Sequence, residues 1–445
     1  MQKIASGAEE RKIEVELVLQ GGTIVDPSQG LHGRYDLLIR NGHIVEIAEK
    51  IETQDRMVKD LSGLTITPGL IDLHTHLREP GGEEKETIFT GSCAAVAGGY
   101  TCITALPNTN PVIDDAEKIK QVAALAQKAG LVRVLPVGAA TKGSRGEEPA
   151  EIAAMVKSGA FAITDDGRGV QNAGILREIL RQCRQCGIPF LEHCEDESLA
   201  GTGQIHEGAI AKKLGVAAIP VSSETVMLAR DLLLARETGA HVHIMHVSCA
   251  DSVELIRMAK ARGIKITAEV TPHHLLLTEA AADGFNTLAK MKPPLRTEAD
   301  RIALCQALAD GTIEIVATDH APHTATEKEQ DFTLAPFGVV GLETAFPLLY
   351  TYLVKAGIME LDTLVERMSC APAKIFNLPY GTLKTGSAAD LAVFDLEREM
   401  IIDKESFYSK GKNTPFHGWK VKGVPVLTMV GGKIMMQDGR ICKKV

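Results

Sequence analysis

His74 and His76 are separated by one residue and follow the apolar pair Leu70-Ile71. A strand sends alternate side chains to the same face. Both imidazoles therefore point one way and can share a divalent ion, for which imidazole is a common ligand. Arg78, two residues further on, can hold an anion beside that ion. Two solvated histidines at a strand end would read the same, so metal chemistry requires more ligands elsewhere in the chain.

The chain supplies them. Asp165-Asp166, His193, His246 and Asp319-His320 each close an apolar run that reads as a strand, with His323 shortly after, and Pro107-Asn108-Thr109-Asn110 closes another. In a barrel of parallel strands, groups at the C-terminal strand ends converge on one mouth. His74, His76, His193, His246 and two aspartates suffice for two divalent ions with one bridging carboxylate. Such ions lower the pKa of bound water and hold a nucleophile ready near neutral pH. Asp319 is the candidate to take its proton and pass it to a leaving nitrogen. This is machinery for hydrolysing an amide, imide or ester. Periodicity does not separate Asp165 from Asp166 as the bridge. His241 is expected at a strand start away from the mouth, and His243 in the barrel core. His273-His274 is expected in a turn or behind the ligands, with His320 facing away. Cys183 and Cys186 form a lone CxxC in a helical pattern, and no second such pair completes a metal site.

The elements that must position these groups follow from composition and patterning. The chain has 445 residues, 45% hydrophobic and 24% charged, with only 4% aromatic. Its core must be built from Ala, Val, Ile and Leu. A net charge of -9 argues against nucleic acid or an anionic membrane as the main partner, but a local arginine can still bind an anionic substrate. The first residues lack an apolar signal region and no run approaches a membrane span. The nine cysteines are scattered, as expected in a reducing cytoplasm.

Residues 1–14 read as a polar tail. Residues 17–25 and 36–47 alternate like strands, broken by Gly21-Gly22 and Asn41-Gly42. Strands are then expected at 69–73, 99–105, 132–137, 160–164, 189–193, 241–246, 265–270 and 313–318. Helices are expected at 115–129, 148–158, 174–186, 222–238, 252–261, 298–309 and 342–355. Eight such units imply a closed parallel barrel. Short strands return at 389–395, 424–430 and 433–437. The expected architecture is α/β: a (β/α)8 TIM-type barrel over 67–384, and a small β-sandwich domain formed by 15–66 and 385–445.

Several separate stretches together resemble the amidohydrolase superfamily, and more closely the dihydroorotases of the bacterial type I class. They are His74-Thr-His-Leu-Arg-Glu-Pro-Gly81, Pro107-Asn-Thr109, Thr164-Asp-Asp-Gly167, Glu192-His-Cys-Glu195, His246-Val-Ser248, Thr271-Pro-His-His274, Pro293-Pro-Leu-Arg296 and Ala317-Thr-Asp-His-Ala-Pro-His323. The resemblance runs from about Val15 to the C-terminus. It implies interconversion of N-carbamoyl-L-aspartate and (S)-dihydroorotate in pyrimidine synthesis, with two Zn2+ per subunit. It further implies one zinc on His74, His76 and Asp319, the other on His193 and His246, and Asp166 as the bridge in place of the carboxylated lysine of many relatives. Arg78 and Asn108 would bind the substrate carboxylate with help from His323, and the backbone of Phe337-Gly338 would contact the ring. Residues 324–332 would form a mobile loop by the site. Where the family usually has Asn before Pro-Pro-Leu-Arg, this chain has Lys292. A homo-oligomer and association with aspartate transcarbamoylase also follow from the resemblance. The alternatives are an allantoinase or dihydropyrimidinase, which Arg78 disfavours because their rings lack a carboxylate, and an inactive subunit supporting a transcarbamoylase.

Overall fold

The computed structural model describes residues 16–442, so the expected tail at 1–14 lies outside the described residues. Eight parallel strands form one sheet: β1 (Leu70–Asp72), β2 (Tyr100–Ala105), β3 (Arg133–Ala139), β4 (Ala162–Thr164), β5 (Phe190–Glu192), β6 (Val242–Ile244), β7 (Ile266–Val270) and β8 (Ile315–Val316). They pair in chain order, with a helix after each strand. The sheet closes where Thr75 bridges His320 and the His76 amide donates to the His320 carbonyl at 2.8 Å. The buried Asp72 carboxylate reinforces this seam by accepting from the Thr318 amide and, at 2.5 Å, from the Thr318 hydroxyl. The barrel is the expected one.

The helices follow local rules. Asp115 caps Ala116–Ala129, accepting from two first-turn amides, and Gly130 ends it in the left-handed conformation that a Cβ disfavours. The helix Ile88–Ala97 is one that periodicity does not reveal. Its run IFTGSCAAVA is buried on most sides, so it carries almost no amphipathic signal, although Thr87 and Thr90 form a capping box. The stretch 342–355 also departs from expectation, with an α-helix at Ala345–Leu349 that continues as a π-helical turn, Tyr350–Val354.

The strands are shorter than the apolar runs suggest. Ladder pairing ends at Ile244 and Val316, so His246 and Asp319 lie beyond it with φ of +31° and +47°, and Arg78 has φ +58°. Such values are uncommon for non-glycine residues and concentrate at functional sites.

The two ends of the chain meet in one nine-stranded sheet beside the barrel. The strand Leu391–Ile401 runs antiparallel to Thr65–Pro68, which joins the N-terminal strands to the C-terminal ones. Glu16–Asp26 pairs in parallel with Met57–Asp60 along its first half and with Thr65–Pro68 along its second. Leu19, Ile24, Leu37, Ile66, Leu391 and Leu427 pack its core. The sheet docks on the barrel through Phe394, whose ring stacks on Phe346 at 3.8 Å, and through an Arg133–Asp390 ion pair at 2.7 Å.

Candidate active site

The barrel mouth gathers His74, His76, His193 and His246 with Asp166 and Asp319. His74 and His76 flank the bridging Thr75 and send Nε2 to the same carboxylates. Asp319 Oδ1 lies 3.2 Å from His74 Nε2 and 2.9 Å from His76 Nε2. Asp166 presents Oδ1 to His74 (3.6 Å), His193 (3.3 Å) and His246 (3.7 Å), and Oδ2 to His76 (3.4 Å). Three ligand trios result, each with its atoms within 4.8 Å of one another: His74, His76 and Asp166; His74, His246 and Asp319; Asp166, His193 and His246. All six residues are buried. His74 Nε2 and Asp166 Oδ1 have no hydrogen-bond partner among the described residues, which is costly for buried polar atoms unless they bind something else. The nitrogen and oxygen donors, their convergence and these two orphaned atoms fit a pair of divalent ions.

Asp165 is settled by its surroundings. It faces the backbone of the preceding strand's loop, accepting from the Ala140 amide at 2.8 Å, the Thr141 amide at 3.1 Å and the Thr141 hydroxyl. Burial pushes its carboxyl up, and these hydrogen bonds pull against that. It contributes nothing to the cluster.

Groups behind the cluster fix its geometry. His74 Nδ1 faces Glu269 Oε1 at 2.6 Å, and Glu269 Oε2 faces His243 Nε2 at 3.0 Å. His76 Nδ1 donates to Asn108 Oδ1 at 2.9 Å. Outer partners of this kind set ring orientation and tautomer. Burial alone would lower His74 and raise the carboxyls. Mutual attraction outweighs it, holding His74 well above the usual imidazole range and Asp166 and Asp319 well below the usual carboxylate range. Glu269 is likewise buried, yet the His74 charge and the His243 contact hold it down at about 2. Glu269 escapes a reading of motifs because it sits mid-strand without one; its single signal in the sequence is a charged residue inside an apolar run.

The cluster floors a cavity of about 300 Å³ lined also by Arg78, Asn108, Lys292, His323, Phe337 and Gly338. Arg78 is partly buried and donates to the Pro322 carbonyl at 3.3 Å; among the described residues no carboxylate pairs with it. Its Nη2 stands 3.4 Å from His323, whose Nε2 donates to the Phe337 carbonyl at 2.8 Å. Burial, then the Arg78 charge, lowers His323 to about 3, so its ring is neutral. Lys292 does enter the pocket wall, but its ammonium is paired with Glu195 at 2.7 Å and lies 5.0 Å over the Phe337 ring. Asn413 has no motif to announce it. It reaches in from the C-terminal segment, its Nδ2 donating to the carbonyls of Ala321 and Gly338 while its Oδ1 accepts from the His323 amide.

The remaining candidates fall behind or away from the cluster. His273 and His274 open a short helix, Pro272–Leu276; His274 Nε2 donates to the Pro293 carbonyl at 3.0 Å. His320 faces Glu86 at 3.2 Å. His241 contacts Thr267 at the far end of its strand. Cys183 is buried in the helix Ala173–Cys186, and burial pushes its thiol far above the usual range, which leaves it inert.

A family profile described as dihydro-orotase-like matches residues 63–252. The chain is 48% identical to a dihydroorotase of Pelotomaculum thermopropionicum over 424 residues, covering 95% of this chain and 99% of that one. It is 47% identical to a dihydroorotase of Bacillus subtilis over 426 residues, covering 96% and 99%. Among solved structures it superposes on an L-hydantoinase (dihydropyrimidinase) from Arthrobacter aurescens with TM-score 0.87 and 28% identity, covering 96% and 97%. With near-complete mutual coverage at this identity, and a ligand cluster at the strand ends of the barrel, the chain belongs to the dihydroorotase family.

Proposed function

We propose that the protein is a zinc-dependent dihydroorotase of the bacterial type I class, interconverting N-carbamoyl-L-aspartate and (S)-dihydroorotate for pyrimidine biosynthesis. The observation that carries this is Arg78, a partly buried guanidinium without a carboxylate partner among the described residues, set beside the ligand cluster. A guanidinium fork binds a carboxylate through two parallel hydrogen bonds. The ring of dihydroorotate carries that carboxylate; an uncharged hydantoin or dihydropyrimidine ring does not. The fold likeness to a hydantoinase favours the second reading, and the higher identity to dihydroorotases along the whole chain outweighs it.

His74, His76 and Asp319 would hold one Zn2+, His193 and His246 the other, and Asp166 would bridge. Two such ions, when bound, supply an activated water and polarise the scissile carbonyl. Arg78 and Asn108 hold the substrate carboxylate, His323 orders the Phe337 carbonyl, and the Phe337-Gly338 backbone positions the ring. Lys292 lines the same wall. Asp319, held ionised by its histidine neighbours, takes a proton at its carboxylate as water adds to the ring amide carbon. It returns that proton to the ring nitrogen as the carbon–nitrogen bond breaks, leaving a carboxylate and a ureido group. Ring closure runs the same steps in reverse.

The proposed organisation keeps 67–384 as the catalytic barrel, with 15–66 and 385–445 as its companion domain. The nine free cysteines support a cytoplasmic location, and no helix among the described residues is long and apolar enough to cross a membrane. A homo-oligomer that associates with aspartate transcarbamoylase completes the reading. It is checked by sizing the enzyme with and without that partner. The deciding experiment for function is ring closure of carbamoyl aspartate by zinc-loaded enzyme, with allantoin and dihydrouracil as competitors. Turnover of either competitor in preference to carbamoyl aspartate overturns the reading.

A further inference from the structure

Two lysines behind the pocket wall have ammonium groups buried without an ion-pair partner among the described residues. Lys290 is 1% exposed and Lys328 3%. Lys290 Nζ donates to the carbonyls of Phe332 (2.6 Å), Ala335 (2.6 Å) and, more weakly, Thr333 (3.4 Å). Lys328 Nζ donates to the carbonyls of Pro336 (2.9 Å), Gly338 (3.1 Å) and Lys290 (3.3 Å). The Gly338 amide closes the lattice by donating to the Lys290 carbonyl at 3.0 Å. Each ammonium carries three donors and each meets three carbonyl oxygens. Burying a charge is costly unless its hydrogen bonds are made, and here both sets are complete. The segment they hold, 332–338, has no helix or strand of its own, yet its last three residues wall the pocket.

We propose that Lys290 and Lys328 are positioning residues that together clamp the segment 332–338, and so set how tightly the pocket holds the substrate ring. The substrate part rests on the dihydroorotase reading; the clamp itself does not. A neutral amine has two donors, so losing a proton removes one carbonyl contact and the charge that strengthens the other two. Burial brings Lys290 down to about 8 and, with the repulsion of Lys290 added, Lys328 down to about 7. Asp331 opposes this at Lys290 and Glu327 at Lys328, while Lys292 adds to it at Lys290. Glu327 is itself shared with Lys85 and lies 3.6 Å from His323. A depressed lysine pKa places the complete clamp on the acid side, and it loosens as pH rises through the two values.

The test combines hydrogen exchange of the 332–338 amides with kinetics on zinc-loaded enzyme. Lys328→Met and Lys290→Met keep the alkyl stem and remove the donors. Each should speed exchange in 332–338, leave the zinc content intact, and raise KM by about tenfold, the usual scale for one charged hydrogen bond. The change in kcat should be smaller. In the wild type, exchange there, corrected for its intrinsic pH dependence, should rise from about pH 6.5 to about pH 9.5, a range that brackets both lysines. Lys328→Met should flatten much of that rise. Unchanged exchange in folded Lys328→Met overturns the clamp. If neither variant folds, a pH-independent wild-type exchange profile overturns it instead. Loosened exchange with KM unmoved would keep the clamp and sink its role in substrate binding, whereas absent turnover with loosened exchange would count against the dihydroorotase reading alone.

Discussion

The two sides of the pocket are held by opposite charge arrangements. On the strand-end side, buried carboxylates fix imidazoles: Asp166, Asp319 and Glu269 each face two or more histidine nitrogens. At the wall formed by 336–338, buried ammonium groups fix backbone: Lys290 and Lys328 face carbonyls of 332–338 and of Lys290 itself. The first side must keep candidate ligand atoms within tenths of an ångström of a common centre, and strand ends held by side-chain partners do that. The second side must fit a ring, and an irregular segment pinned at several carbonyls does that with room to adjust. Damage to the first side should therefore remove chemistry, and damage to the second should weaken binding.

Removing a ligand should have the largest effect. His74→Ala, His193→Ala and Asp166→Ala should each lose bound zinc and nearly all turnover, well beyond the roughly 10–100-fold that loss of an outer partner costs. Asp165→Ala should keep its zinc and most of its activity, at a stability cost of about 1–3 kcal/mol from unpaired buried amides. Elemental analysis and denaturant melts of the two aspartate variants separate them directly, and reversed zinc contents would mean the bridge is misassigned.

Asp319→Asn should follow, lowering kcat by about two to four orders of magnitude while substrate still binds. A variant within about tenfold of wild type, well short of that range, rules Asp319 out as the proton carrier.

Arg78→Met stands between the two sides. With zinc retained, it should cost about 2–5 kcal/mol in kcat/KM on dihydroorotate, the range for one partner of a desolvated charge pair. Equal kcat/KM for the variant and wild type would point to an uncharged ring instead.

Glu269→Gln tests whether the histidine side depends on charge behind the ligands. Zinc affinity or activity should fall by about 10–100-fold, read by competition with a chelator. The smallest effect is expected at Lys292→Asn. Its ammonium is already paired with Glu195, so KM should move by less than about tenfold, the effect of one charged hydrogen bond. A larger change would mean that Lys292 leaves Glu195 for the substrate.

Much of the histidine side is legible in the sequence. His74, His76, His193, His246 and Asp319 are rare residue types closing apolar runs, and the βα alternation places those ends at one mouth. The lysine side is not legible there. Its acceptors are main-chain carbonyls, which every residue carries, so no residue type at 332–338 marks them. Glu269 and Asn413 are hidden for a related reason: the groups they touch lie as far as 195 positions away in one case and 92 in the other.

The amino-acid sequence by itself determined the barrel and the set of candidate ligand residues, down to a choice between Asp165 and Asp166. Strand periodicity and the spacing of His74 and His76 are local properties of the chain. Tertiary structure alone decided between Asp165 and Asp166. Neighbouring residues at a strand end face opposite ways, and which way is inward depends on where the Ala140 and Thr141 amides stand to receive Asp165. It also decided that Lys292 meets Glu195, 97 positions away, over the Phe337 ring. Charge pairing across such separations depends on how the closed barrel brings its loops together, which the local pattern of residues does not contain.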